Sequence, residues 1–111
     1  MLISQEVLNE AARRLVEKFH PEKIILFGSQ ARGTADSRSD IDLLVISPIK
    51  EKRRKLMIEM LRVLTELKYA FDIIILTREE YERDQKIPGT IGRYASREGK
   101  IIYESNSRPD T

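Results

Sequence analysis

Residues 23–46 read KIILFGSQARGTADSRSDIDLLVI, and the order of apolar and polar letters along them decides the fold. Ile24-Ile25-Leu26-Phe27 reads as a short buried strand over Lys23–Phe27 that runs straight into Gly28-Ser29. Residues 30–39 are small and polar, contain Gly33 and carry no aliphatic side chain larger than alanine. They read as a turn with room for one helical turn. Ile41–Ile46 is a second apolar strand, stopped by Ser47-Pro48.

Upstream, Ser4 can cap a helix whose apolar stripe is Val7, Leu8, Ala11, Ala12, Leu15, Val16 and Phe19, and Pro21 ends it. Downstream, residues 51–67 form an amphipathic helix with Met57, Met60, Leu61, Leu64 and Leu67 on one face. Phe71–Leu76 is a third strand. Thr77 with Glu80 makes a capping box for a short charged helix ending near Lys86, and Pro88-Gly89 turns the chain. Thr90 can cap a last helix closed by Gly99, and Lys100–Glu104 is a fourth strand. The expectation is one domain over residues 1–104 and a frayed tail over 105–111.

The helix between strands two and three makes a crossover, so those strands should lie parallel. Strands one and two, joined by about a dozen residues with little helix, are more simply antiparallel. Near-continuous apolar strands need cover on both faces or a neighbouring subunit. The expected fold is α/β (α+β), a small mixed β-sheet flanked by helices.

That topology gathers polar residues at one sheet edge. Gly28-Ser29 ends strand one, Asp40 and Asp42 open strand two, and Asp72 opens strand three. Asp40 and Asp42 are two apart, so a strand points both to one face, roughly 7 Å apart along the backbone. Three carboxylates at the edge of an apolar sheet repel unless a cation neutralises them. Oxygen ligands without His or Cys favour Mg²⁺ or Mn²⁺. Glycine lets the backbone approach a phosphate, the Ser29 hydroxyl donates a hydrogen bond, and a helix start at Gln30 would aim amides at the anion. Metal-holding carboxylates beside a phosphate-cradling turn point to phosphoryl or nucleotidyl transfer. Asp-x-Asp or Gly-Ser alone is commonly structural; the joint spacing carries the reading.

Composition narrows the alternatives. The 111 residues suffice for one domain, with 41% hydrophobic residues for a core and 34% charged residues for solubility. Twenty basic and 18 acidic residues leave a net charge of +2, so the pI near 9.0 is poor evidence for nucleic-acid binding. The absence of cysteine removes disulfides, thiolate metal sites and cysteine nucleophiles. A single histidine, His20, rules out multi-histidine zinc sites. Residues 1–10 include acids and do not resemble a signal peptide, and no apolar run approaches the roughly 20 residues of a membrane span. A cytoplasmic protein is expected.

The stretch Gly28-Ser29-Gln30-Ala31-Arg32-Gly33 followed by Ser39-Asp40-Ile41-Asp42-Leu43-Leu44-Val45 resembles the signature of the DNA polymerase beta nucleotidyltransferase superfamily. It is most similar to the prokaryotic minimal nucleotidyltransferases (MNT). Asp72 extends the resemblance, the order of elements agrees over residues 4–104, and residues 92–103 also resemble that group. The resemblance implies a polymerase beta palm-like fold in which Asp40, Asp42 and Asp72 are both catalytic and metal-binding. Asp40 and Asp42 would be ligands, and Asp72 a ligand to a second Mg²⁺ and a candidate base. Ser29 with Gly28 would grip the triphosphate of ATP, while Arg32 would pair with the acids or reach phosphate. With a single domain expected, the extra domain with which larger relatives bind their acceptors is not expected here. The resemblance therefore implies a HEPN-domain toxin as partner, a ribonuclease silenced by adenylylation of a tyrosine.

The alternatives are an antitoxin acting by binding alone and a small-molecule transferase, aminoglycoside-like, working as a homo-oligomer. Direct nucleic-acid binding ranks last. His20 is better placed to cap helix carbonyls than to catalyse. The basic run at residues 50–55 follows the far end of strand two, about 15–20 Å from the acids. It suits a solvated helix start or a docking patch. Arg93, Tyr94 and Arg97 fit surface, interface or nucleotide contacts equally. Ile87, Ile91 and Tyr94 fit either partner docking or cover for the sheet.

Overall fold

The computed structural model describes residues 4–33 and 40–105. Its elements run α1 (Gln5–Phe19), β1 (Lys23–Phe27), α2 (Ser29–Arg32), β2 (Ile41–Ile46), α3 (Arg53–Leu64), β3 (Phe71–Leu76), α4 (Arg78–Asp84), α5 (Ile91–Glu98) and β4 (Lys100–Glu104). A 3₁₀ turn, Thr65–Leu67, extends α3.

The sheet order is β3-β2-β1-β4. β2 and β3 are parallel, while β1 is antiparallel to both β2 and β4. This is the mixed sheet expected from the connections: α3 is long enough to carry the chain back for a parallel pairing, whereas the β1–β2 link needs no such return. On one face α1 and α3 cover Ile24, Leu26, Leu43, Val45, Ile73 and Ile75 with Leu8, Ala11, Leu15, Met60 and Leu64. On the other, Tyr81 of α4 and Ala95 of α5 meet Ile25, Phe27, Leu44 and Ile46. Both faces are covered, which is why β1 and β2 read as unbroken apolar runs.

Local signals set the helix ends. The Val7 N–H donates to Ser4 Oγ at 3.3 Å, capping α1. At its other end His20 turns left-handed (φ 51°) and its own N–H donates to Val16 O at 3.0 Å, so the cap is backbone rather than imidazole. Thr77 and Glu80 form the expected capping box. That helix stops at Asp84, before Lys86, because the next amides turn back: Lys86 N–H to Arg83 O and Ile87 N–H to Asp84 O.

α3 begins at Arg53, two residues later than the periodicity suggests, after an extended Lys52 with no capping side chain. Arg53 explains that entry. Its guanidinium donates to Ile75 O at 2.6 Å and makes two 2.8 Å bonds to the Glu80 carboxylate. One member of the basic run is thus a clamp between α3, β3 and α4, although it is exposed like Lys50, Lys52, Arg54 and Lys55.

Gly99 closes α5 in an extended conformation (φ −84°). Space demands the glycine here: a Cβ would stand 2.5 Å from both Ala95 O and Ile25 Cγ2. Of the expected tail, Ser105 donates its N–H to Glu22 O at 2.9 Å, and residues 106–111 lie outside the described residues.

Candidate active site

The strand registers place the acids. Phe27 of β1 pairs with Asp42 of β2, and Asp42 pairs with Asp72 of β3. Phe27, Asp42 and Asp72 therefore form one row across three strands, at the end of β1 and the beginnings of β2 and β3. Paired residues share a face, here the α4 and α5 side, because Phe27 and Leu44 pack with Tyr81 and Ala95. Asp40 lies two residues before Asp42, just outside β2. Asp40 and Asp72 are exposed and Asp42 is half-buried.

The charges press on one another. Burial, then the carboxylates of Asp72 and Asp40, push the Asp42 carboxyl above the ordinary carboxylate range, and the Arg32 guanidinium pulls it back. The strain falls on the middle member because it is flanked on both sides and the least hydrated.

The turn after β1 closes against this row. Gly28 adopts φ 74° and ψ −155°, a backbone region open to glycine and strained for other residues. A Cβ there would lie 3.2 Å from Asp42 Cγ and closer still to its Oδ2. Gly28 O accepts the Arg32 N–H at 3.1 Å, starting α2 with Ser29 as its first residue. The helical turn thus begins one residue before Gln30; residues 34–39 of the expected turn lie outside the described residues.

Arg32 and Tyr94 are joined as the sequence could not foretell. Arg32 Nη1 donates to the Tyr94 hydroxyl, and the Tyr94 ring stands edge-on to Phe27, centroids 6.3 Å apart at 89°. Tyr94 belongs to α5, 62 residues from Arg32 in sequence, and neither spacing nor periodicity signals the contact. Arg93 turns elsewhere, its Nη1 bonding Gln85 O at 3.2 Å. Arg97 lies beside Ile91 and Pro88 in a surface cavity of about 500 Å³. Another cavity, of about 790 Å³, opens at the far end of the sheet among His20, Glu22, Pro48, Thr77 and Tyr103 and includes none of the acids. The charges of Asp72, Asp40 and Arg32 converge on Asp42, away from the roomier cavity.

Among the described residues, no three His, Cys, Asp or Glu side chains converge closely enough to cage an ion as they stand. The donor set nonetheless suits a hard divalent cation: all three donors are carboxylates, and the repulsion raising Asp42 is what such a cation would relieve.

A sheet with helices on both faces and an acidic row beside a glycine–serine turn defines the class: a nucleotide-handling α/β domain. The chain belongs to the nucleotidyltransferase domain family, whose model matches residues 8–108. Over 101 residues it is 31% identical to "Putative protein adenylyltransferase MJ0604" of Methanocaldococcus jannaschii, covering 89% of this chain and 97% of that protein. A second relative from the same organism, of like name and numbered MJ1305, is 50% identical over 50 residues. That match spans 43% of this chain and only 34% of the relative's length.

Solved structures share the fold at low identity. A nucleotidyltransferase-type structure from Sulfolobus solfataricus superposes with a TM-score of 0.62 at 22% identity, covering 90% of this chain and 79% of its own. The MNT antitoxin complex with tri-AMPylated Shewanella oneidensis HEPN toxin superposes at 0.58 and 18% identity, with 92% and 74% covered. Among the described residues no helix is long and apolar enough to cross a membrane.

Proposed function

We propose that this protein is a Mg²⁺-dependent nucleotidyltransferase that moves AMP from ATP to a tyrosine hydroxyl of a HEPN-type toxin, and so serves as its antitoxin. The row Phe27–Asp42–Asp72, with Gly28 closed against Asp42, is the observation that carries the reading. With Asp40 two residues before Asp42, a glycine–serine turn and three carboxylates share one end of the sheet, a pairing that suits nucleotidyl transfer.

In this scheme Gly28 admits the triphosphate because it has no side chain, and the Ser29 hydroxyl donates a hydrogen bond to it. Arg32 lends positive charge as pyrophosphate departs. The acceptor oxygen forms its bond to the α-phosphorus as the bond from that phosphorus to the pyrophosphate oxygen breaks. Asp72, exposed at the row's outer end, takes the acceptor's proton. Two Mg²⁺ ions, held by Asp40 and Asp42 with Asp72 on the second, would neutralise phosphate charge and polarise the attacking and leaving oxygens.

Two features support a partner-borne acceptor. The AMPylated HEPN toxin is what the MNT antitoxin holds in a structure of this fold. In this chain the acids lie at one end of the sheet, with Asp40 and Asp72 exposed. Use of ATP and the absence of cysteine suit action in the cytoplasm.

The test mixes the protein, Mg²⁺ and ATP labelled at the α-phosphate with the HEPN protein of a neighbouring gene. Label should appear on a partner tyrosine, should need Asp40, Asp42 and Asp72, and should track the loss of the partner's ribonuclease activity. If the Asp40→Asn/Asp42→Asn protein silences the partner equally well without label transfer, binding alone is the mechanism. If label passes to an aminoglycoside and to no protein, the acceptor is a small molecule.

A further inference from the structure

Tyr94 sits on α5, apart in sequence from the glycine–serine turn and the acids, yet its contacts tie it to both. Its ring stands edge-on to Phe27, which is buried and is the row mate of Asp42. Its hydroxyl accepts a hydrogen bond from Nη1 of Arg32, the last residue of the helix that Ser29 opens. Arg32 is exposed, and its charge is felt at the Asp42 carboxylate.

An exposed arginine ordinarily wanders among many rotamers, and each encounter with an anion must then bear the entropy of fixing it. Here the core supplies a chain of restraint: buried Phe27 orients the Tyr94 ring, the ring aims the hydroxyl, and the hydroxyl holds the guanidinium. The helix carrying Tyr94 is itself fixed, by buried Ala95 and by the Thr90 cap, whose Oγ1 accepts the Arg93 N–H at 3.1 Å.

Resting on the nucleotidyl-transfer reading, we propose that Tyr94 is a positioning residue whose hydroxyl fixes the Arg32 guanidinium beside Asp42, ready for the triphosphate, without itself touching substrate. The role belongs to the hydroxyl rather than to the ring, so the two can be separated. Tyr94→Phe keeps the edge contact with Phe27 and removes only the anchor.

The experiment is a double-mutant cycle on the full chain with Mg²⁺, ATP and the protein acceptor. Tyr94→Phe should lower kcat/KM about five- to tenfold, the effect of losing one hydrogen bond, with a melting temperature near wild type. Arg32→Ala should lose more, and Arg32→Ala/Tyr94→Phe should be no worse than Arg32→Ala, since the hydroxyl acts only through the arginine. A second readout needs no turnover: the Arg32 side-chain N–H signal in NMR of the nucleotide-free protein should be ordered in wild type and motionally averaged in Tyr94→Phe. Additive losses, an unchanged kcat/KM, or an unaltered Arg32 signal would overturn the proposal. So would AMP found on Tyr94 itself, which would make it an acceptor. If the wild-type protein transfers no nucleotide, the transferase reading fails, and the NMR comparison still decides whether the hydroxyl holds Arg32.

Discussion

At the scale of single residues, Asp42 shows how much the sheet sets a side chain's chemistry. Its carboxyl is raised by burial and by Asp72 and Asp40, so the folded protein disfavours its ionisation. The linked stability is fully present below the unfolded carboxylate pKa and is lost as pH rises through the higher folded value. In metal-free protein Asp42→Asn should therefore melt above wild type at neutral pH, with the gap closing in acid; a gap independent of pH would contradict the repulsion. Mg²⁺ with ATP should raise the wild-type melting temperature by binding the native state. The rise should vanish in Asp40→Asn/Asp42→Asn while the fold survives, and an undiminished rise would place the metal elsewhere. Ser29→Ala should weaken nucleotide use by about 1–3 kcal/mol, the loss of a hydrogen bond to a charged group. Gly28→Val should do worse, since its side chain would enter the space of the Asp42 carboxylate. Wild-type rates in both variants would put the phosphate grip at another turn.

At the scale of elements, α4 is held by two devices of different visibility. Thr77-x-x-Glu80 is a local pattern, and the sequence shows it plainly: Glu80 N–H donates to Thr77 Oγ1 at 3.1 Å, and Thr77 N–H to Glu80 Oε1 at 2.9 Å. Thr77→Ala should cost about 1 kcal/mol in urea unfolding, as caps of this kind do. The bidentate Arg53 bridge to the same carboxylate crosses 27 residues and gives no sequence signal. The Arg53 bond, followed by the Thr77 amide, lowers the Glu80 carboxyl to about 2 from 4.5. Here the sign reverses from Asp42: the stability is present above the unfolded value and is lost as pH falls from about 4.5 toward about 2. Glu80→Gln should remove that portion of the acid denaturation curve, and an identical curve would mean the bridge is idle. The same division governs the candidate site. Gly28, Ser29, Asp40, Asp42 and Asp72 were legible because strand period and crossover logic align them from local spacing. Tyr94 was not, because only the packing of α5 on Phe27 brings it to Arg32, and Arg53 looked like one more charge in a basic run for the same reason.

At the scale of the whole molecule, the two faces of the sheet divide the work. The α1 and α3 side holds the larger apolar cluster, from Leu8 to Ile75. Leu15→Ala there should cost about 2–5 kcal/mol, read by denaturant unfolding. Substituting Ile101, which is 55% exposed on β4, should stay within about 0.5 kcal/mol. A reversed order would mean the core is not where the packing puts it. The opposite side carries a smaller apolar cluster and ends in the Asp42–Asp72 row, and β4 turns that layout to practical use. It runs antiparallel to β1, from Lys100 beside Leu26 to Glu104 beside Lys23, so it carries the chain four strand positions away from the Phe27 row, about 13 Å. A chain without cysteine accepts one at Glu104 as its sole thiol. Tethered to a resin through that thiol, the molecule would hang with its carboxylates turned away from the support, bait oriented for capturing the acceptor proposed above.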